Sequence, residues 1–97
     1  MAGEETRRMS AEAFVDENLV RAISLRYLAR DKPERRAALA AAMTEEYRAG
    51  NILERFFWDQ LADYEASGAD LRSFVPRMLA ALDPEAELAR WRAGTKP

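Results

Sequence analysis

Six of the eight residues in this chain that most readily interrupt a helix stand at spaced intervals within it: Pro33, Gly50, Gly68, Pro76, Pro84 and Gly94. The other two, Gly3 and Pro97, lie near the ends. Proline removes a backbone donor and crowds the preceding turn, and glycine is enriched just beyond a helix's last residue. Between these breakers apolar residues recur every three or four positions. They never alternate, and β-branched residues are few. Short segments with that spacing bury their apolar sides by packing as helices; none has the period of a strand. Nineteen alanines among the 97 residues favour the same outcome. The fold class is therefore all-α, a compact bundle of four to five short helices.

The chain length fits one domain. Residues 1–9 are polar and charged and read as a disordered N-terminal lead-in, 10–94 as a single helical domain, and 95–97 as a tail. The spacing predicts helices over about 11–30, 33–49, 52–66, 74–82 and 84–93, with Ser10, Asn51, Ser73 and Asp83 as N-caps. If the fourth helix began at Leu71 instead, Pro76 would fall further inside it. Phe57, Leu61, Leu39 and Ile23 make the expected core. Leu88 and Trp91, three residues apart, anchor the last helix.

Several chemistries lack their usual side chains. Cysteine and histidine are both absent. That removes disulfides, thiol nucleophiles, thiolate metal sites and the side chain most often used for proton transfer near neutral pH. No serine has a histidine base, and no phosphate-binding or dinucleotide fingerprint occurs. Asp59 and Asp63, with Glu45 and Glu46, could face a metal from two helices. The helical di-metal pattern, however, also requires Glu-x-x-His. Solvated charges are the simpler reading, with Arg55 pairing Asp59. The expectation is a protein that is not an enzyme and holds no cofactor or metal.

The net charge of −2 gives no basic surface field for nucleic acid. The longest uncharged run, residues 37–44, is far too short for a membrane span. With no apolar leader at the N-terminus, a cytoplasmic location is expected. Arginine supplies 13 of the 15 basic residues. Beside so much alanine, this suggests GC-rich coding and a bacterial source.

The run Phe56-Phe57-Trp58 carries the functional question. Successive helix residues point about 100° apart, so the three rings cannot share one core. Leu53, Phe57, Leu61 and Tyr64 align, Phe56 flanks them, and Trp58 points away, on the side of Arg55 and Ala62. Trp58 is either a core-edge residue stacked on Arg55, or an anchor on an exposed apolar patch. Helix 1 poses the same choice. Phe14, Leu25 and Leu28 fall off its main stripe, so the helix is either covered all round or presents a second, self-associating face. The expected function is a non-catalytic protein–protein interaction module: a small regulator, adaptor, inhibitor or accessory subunit of a larger complex. It would use an apolar/arginine helix face containing Trp58, Arg55, Ala62, Phe14, Leu25 and Leu28. Its partner would be another protein, a second copy in a homodimer, or both. The alternative is a DNA-binding regulator of helix-turn-helix type. It would be built on helix 3, the turn at Ser67-Gly68-Ala69 and helix 4, with Arg72, Arg77, Arg90 and Arg92 near phosphates. Pro76 and the apolar character of helix 4 weigh against it.

Overall fold

A computed structural model describes the backbone of residues 2–95 and the side chains of residues 11–94. Five α-helices follow one another: α1 (Ala2–Asp31), α2 (Arg36–Arg48), α3 (Glu54–Ser67), α4 (Leu71–Ala81) and α5 (Pro84–Thr95). A single 3-10 turn, Pro33–Arg35, leads into α2. No strand occurs among the described residues. The chain is an all-α bundle of short helices around one long one.

The first helix starts earlier than its apolar pattern suggests. Its backbone is helical from Ala2, so Ser10 lies within the helix rather than capping it, and residues 2–9 continue α1 instead of leading into it. No breaker stands between Gly3 and Pro33. At 30 residues α1 is roughly 45 Å long, which sets the 48 Å long axis of the molecule. The shortest dimension is 21 Å, or about two helix diameters. In so thin a body a helix is not wrapped on every side. α1 packs along α2 and α3, while Val20 and Tyr27 stay exposed.

The main core joins α1, α3 and α4 through Ala22, Leu53, Phe56, Phe57, Leu61, Phe74 and Met78. Phe57 and Met78 are fully buried. Ile23, expected in the core, packs half-buried at its margin. Leu39, Met43 and Tyr47 form the buried row of α2. Ala22 and Ala29 are both buried on α1, where a methyl group lets a neighbour approach closely.

Two expected caps are corrected. Asn51 does not start α3: its Nδ2 and its backbone N–H both donate to Glu46 O, at 2.8 and 3.2 Å, and so close the end of α2. The start of α3 is instead held from α1. Leu53 N–H donates to Asn18 Oδ1 at 3.1 Å, and Asn18 Nδ2 donates to Phe14 O at 2.7 Å. At α4 the cap is Asp70, whose carboxylate accepts from Ser73 N–H at 2.8 Å, so the helix begins at Leu71 with Pro76 inside it. Pro76 leaves the Arg72 carbonyl without its helical donor, on an exposed side where water can replace it. The Asp83 cap is as expected, accepting from Ala86 N–H at 3.2 Å. The left-handed stop falls on Gly68, φ 74°. Leu88 and Trp91 are half-buried on α5, and the Trp91 indole N–H donates to Tyr47 O at 2.8 Å, docking α5 on the end of α2.

Candidate functional site: an arginine-edged cleft between two helices

Between the C-terminal half of α1 and the second half of α3 lies a cleft of about 160 Å³, lined also by Leu71 of α4. Ile23, Leu61, Tyr64 and Leu71 supply its apolar walls; Arg26, Tyr27, Arg30 and Glu65 supply the rest. Helical register explains the set. Ile23, Tyr27 and Arg30 recur at spacings of four and three on α1, and on α3 Tyr64 and Glu65 lie three and four residues beyond Leu61. Pockets for whole small molecules usually run roughly 300 to 1,000 Å³. This cleft has room for one or two side chains of another protein.

Its edge is electrostatically biased. Arg26 holds Glu65 through two bonds, Nη2 to Oε1 at 2.6 Å and Nε to Oε2 at 2.9 Å. That bonding, with the nearby charges of Arg30 and Arg36, holds the Glu65 carboxyl below its ordinary range, against the opposing effect of burial. Arg26 and Arg30 thus line the cleft with a single carboxylate, Glu65, so its lining carries one surplus positive charge in a chain that is acidic overall. Tyr27 is the most exposed large hydrophobic residue of the described set, 71% accessible.

The aromatic run resolves residue by residue. Phe56 and Phe57 are both buried and meet edge to face at 5.3 Å between ring centres. Trp58 is half-buried at the margin, and the guanidinium over its ring, at 4.7 Å, belongs to Arg26 of α1. Arg55 does not stack on it. Arg55 lies over the Tyr47 ring at 5.9 Å, and Asp59 pairs with Arg90 of α5 at 3.3 Å rather than with Arg55. A guanidinium fixed by two bonds to Glu65 is already positioned to cover the indole, at no further cost in ordering.

The six candidate partner-binding residues lie in two groups, three on α3 and three on α1. Arg55 and Ala62 are exposed on α3 next to Trp58. Phe14 and Leu28 are 37% and 42% accessible, but they stand 14 residues apart on α1, which is roughly 21 Å along the axis. Leu25 is half-buried. It shares a side of α1 with Arg21, which reaches Glu46 of α2 at 3.4 Å. The cleft residues Ile23, Tyr27, Arg30 and Tyr64 were not among the six. Tyr27 and Arg30 were visible as a tyrosine and an arginine one turn apart, but their common use depends on α3 lying alongside.

Of the arginines near the α3–α4 turn, Arg77 lies over the Phe74 ring at 5.1 Å and Arg90 is bonded to Asp59 and Glu87. Among the described residues no group of three or more acidic side chains converges as metal ligands would, and no helix is long and apolar enough to cross a membrane. No protein-family model, no curated protein and no solved structure gives a significant match to this chain.

Proposed function

We propose that the chain is a non-catalytic protein-interaction module, and that the α1–α3 cleft is where it receives its partner. The observation that carries this is the pairing of an apolar recess of side-chain size with a rim of surplus arginine charge and an exposed tyrosine. Tyrosine and arginine are enriched among the residues that dominate interface energetics, and charge at a rim steers encounter. The partner is a protein segment that places one apolar side chain among Ile23, Leu61, Tyr64 and Leu71 and its carboxylates against Arg30 and Arg36. A small regulator, adaptor, inhibitor or accessory subunit would use such a surface, from a cytoplasmic setting, on a different protein or on a second copy of itself. The sequence-level choice of Trp58 as leading anchor gives way to Tyr27 and Arg30, because Trp58 already holds Arg26 over its ring.

The test compares the wild-type chain with Tyr27→Ala and Arg30→Glu in affinity capture from extract of the native cell, with light scattering on each purified protein. Both variants alter exposed positions, so circular dichroism should report an unchanged helix content. The same protein species should be lost from both captures and kept by Leu79→Ala, an exposed change on α4 remote in sequence from the cleft. A dimer seen by light scattering and dissolved by both variants would identify the partner as a second copy. Capture unaffected by either substitution, with only monomer in solution, would overturn the cleft as the docking surface. Duplex DNA at low salt serves as the competing ligand. Binding that falls steeply with added salt would favour the nucleic-acid reading instead.

A further inference from the structure

At the first position of α3, facing the end of α2, Glu54 is fully buried. Neither of its carboxyl oxygens has a hydrogen-bond partner, and Glu46 Oε1 on α2 is buried without one as well. The backbone holds the two residues close, since Asn51 N–H donates to Glu46 O at 3.2 Å and Glu54 N–H to Asn51 O at 3.1 Å, and Glu46 is the acidic neighbour that acts on Glu54. Two ionised carboxylates in that position would repel, and an unpaired buried charge is among the costliest arrangements in a protein interior. Arg21, 3.4 Å from Glu46 Oε1, compensates one of the two charges, and the other still needs a positive group.

A divalent cation is a poor candidate. Hard cations take about six or more oxygens, and no third acidic side chain converges on the pair among the described residues. Arg21 of α1 also already stands 3.4 Å from Glu46 Oε1, at ion-pair distance, and would crowd a metal with a second cation. A proton needs only one donor and one acceptor. A protonated Glu54 donates to Glu46 Oε1, which gives one orphan oxygen its partner and removes one charge. Arg21, held from its other side by Glu17 at 3.0 Å, then balances the remaining charge on Glu46.

We propose that Glu54 and Glu46 share a single proton, and that this proton is a latch joining α3 to α2 which weakens as the pH rises through the neutral range. The groups facing Glu54 are Glu46 from α2 and Arg21 from α1. Nearby on the same elements are Glu17, bonded to Arg21, and Tyr47, whose hydroxyl is buried. Burial first, and then the neighbouring Glu46, push Glu54 up to about 8, with a smaller opposing pull from Arg21. The folded chain consequently keeps a proton that the unfolded chain releases above about 4.5. Stability is then greatest below that value, declines as the pH rises, and levels off once Glu54 ionises in the folded state too, near 8. The limiting slope is about a tenfold rise in the unfolding constant per pH unit.

The sequence supplies an unusually quiet background for the measurement. With no histidine and no cysteine, the chain lacks the side chains whose ordinary values fall between about pH 5 and 9. Urea titrations at pH 5, 6, 7 and 8 should show the wild-type midpoint falling steadily. Glu54→Gln should flatten that dependence, because its amide donates to Glu46 at every pH. Glu46→Gln should reduce it, because its amide can donate to an ionised Glu54. A pH-independent wild-type midpoint, or an unchanged slope in Glu54→Gln, would overturn the latch. If Glu54→Gln does not fold, the carboxyl ¹³C resonance of Glu54 in the wild-type chain decides. Titration above pH 6 supports the shared proton, and titration near the ordinary glutamate value overturns it.

Discussion

Asn18 was the least legible residue of the fold. It lies inside the apolar arc of α1, and on a helical wheel it looks like a defect in that arc. Its meaning depends on Leu53, 35 positions away, whose amide needs an acceptor at the start of α3. No local rule connects the two. Once they meet, the side chain is fully buried and bonded at both ends, to Leu53 N–H and to Phe14 O. Asn18→Ala should destabilise the chain by about 1–3 kcal/mol, because a buried backbone donor loses its acceptor. Asn18→Leu, although it restores volume, should not recover this. Urea titration of the two variants at one pH measures both costs. Equal stability of wild type and Asn18→Leu would mean that water reaches the Leu53 amide. Trp58 stands at the core edge, one of its two expected positions, but the arginine over it was misread for a related reason. A partner three residues away on the same helix was foreseeable, whereas Arg26, held in place by Glu65, comes from another helix.

The helices themselves were largely legible, because their ends are written in short-range chemistry. Gly68 in the left-handed region and Asp83 ahead of Pro84 act where the sequence places them. Boundaries failed where two adjacent signals competed. Asp70 and Ser73 are both good caps, and the preference for Pro76 in a first turn pointed to Ser73. The structure resolves this by using both residues at once: Asp70 accepts from Ser73 N–H at 2.8 Å and from Ser73 Oγ at 3.1 Å. The backbone bond carries the cap, and the hydroxyl bond is an exposed addition. Asp70→Ala should therefore cost about 0.5–2 kcal/mol, the range for loss of an N-cap acceptor. Ser73→Ala should cost clearly less. Thermal unfolding followed by circular dichroism ranks the two. The reverse order would restore Ser73 as the residue that starts α4. Asn51 was misassigned by the same ambiguity, since an asparagine between two helices can close the first as readily as open the second.

At the scale of the whole molecule, the all-α architecture followed from composition and period, while the distribution of charge did not. Carboxylates that look alike in the sequence are driven in opposite directions by their surroundings. Glu65, bonded by Arg26, is held below the ordinary glutamate range, so its contribution is present above about 4.5 and is lost as the pH falls through its depressed value. Glu54, buried beside Glu46, is pushed up to about 8, so its contribution is greatest in acid and is lost as the pH rises from about 4.5. The two effects meet from opposite sides. Stability should peak near pH 5, at the acid end of the range of about 5 to 8 where most proteins are most stable. The peak lies close to the sequence isoelectric point of about 5.2, where net charge vanishes and association is favoured, so the titrations belong at low protein concentration. Glu65→Gln should shallow the acid limb and leave the alkaline one unchanged, while Glu54→Gln should do the reverse. Urea midpoints measured from pH 3 to pH 9 on the three proteins separate the limbs. A wild-type optimum at pH 7 or above would show that the buried acid contributes no stability that is lost above pH 5, since the Glu65 contribution is already complete there.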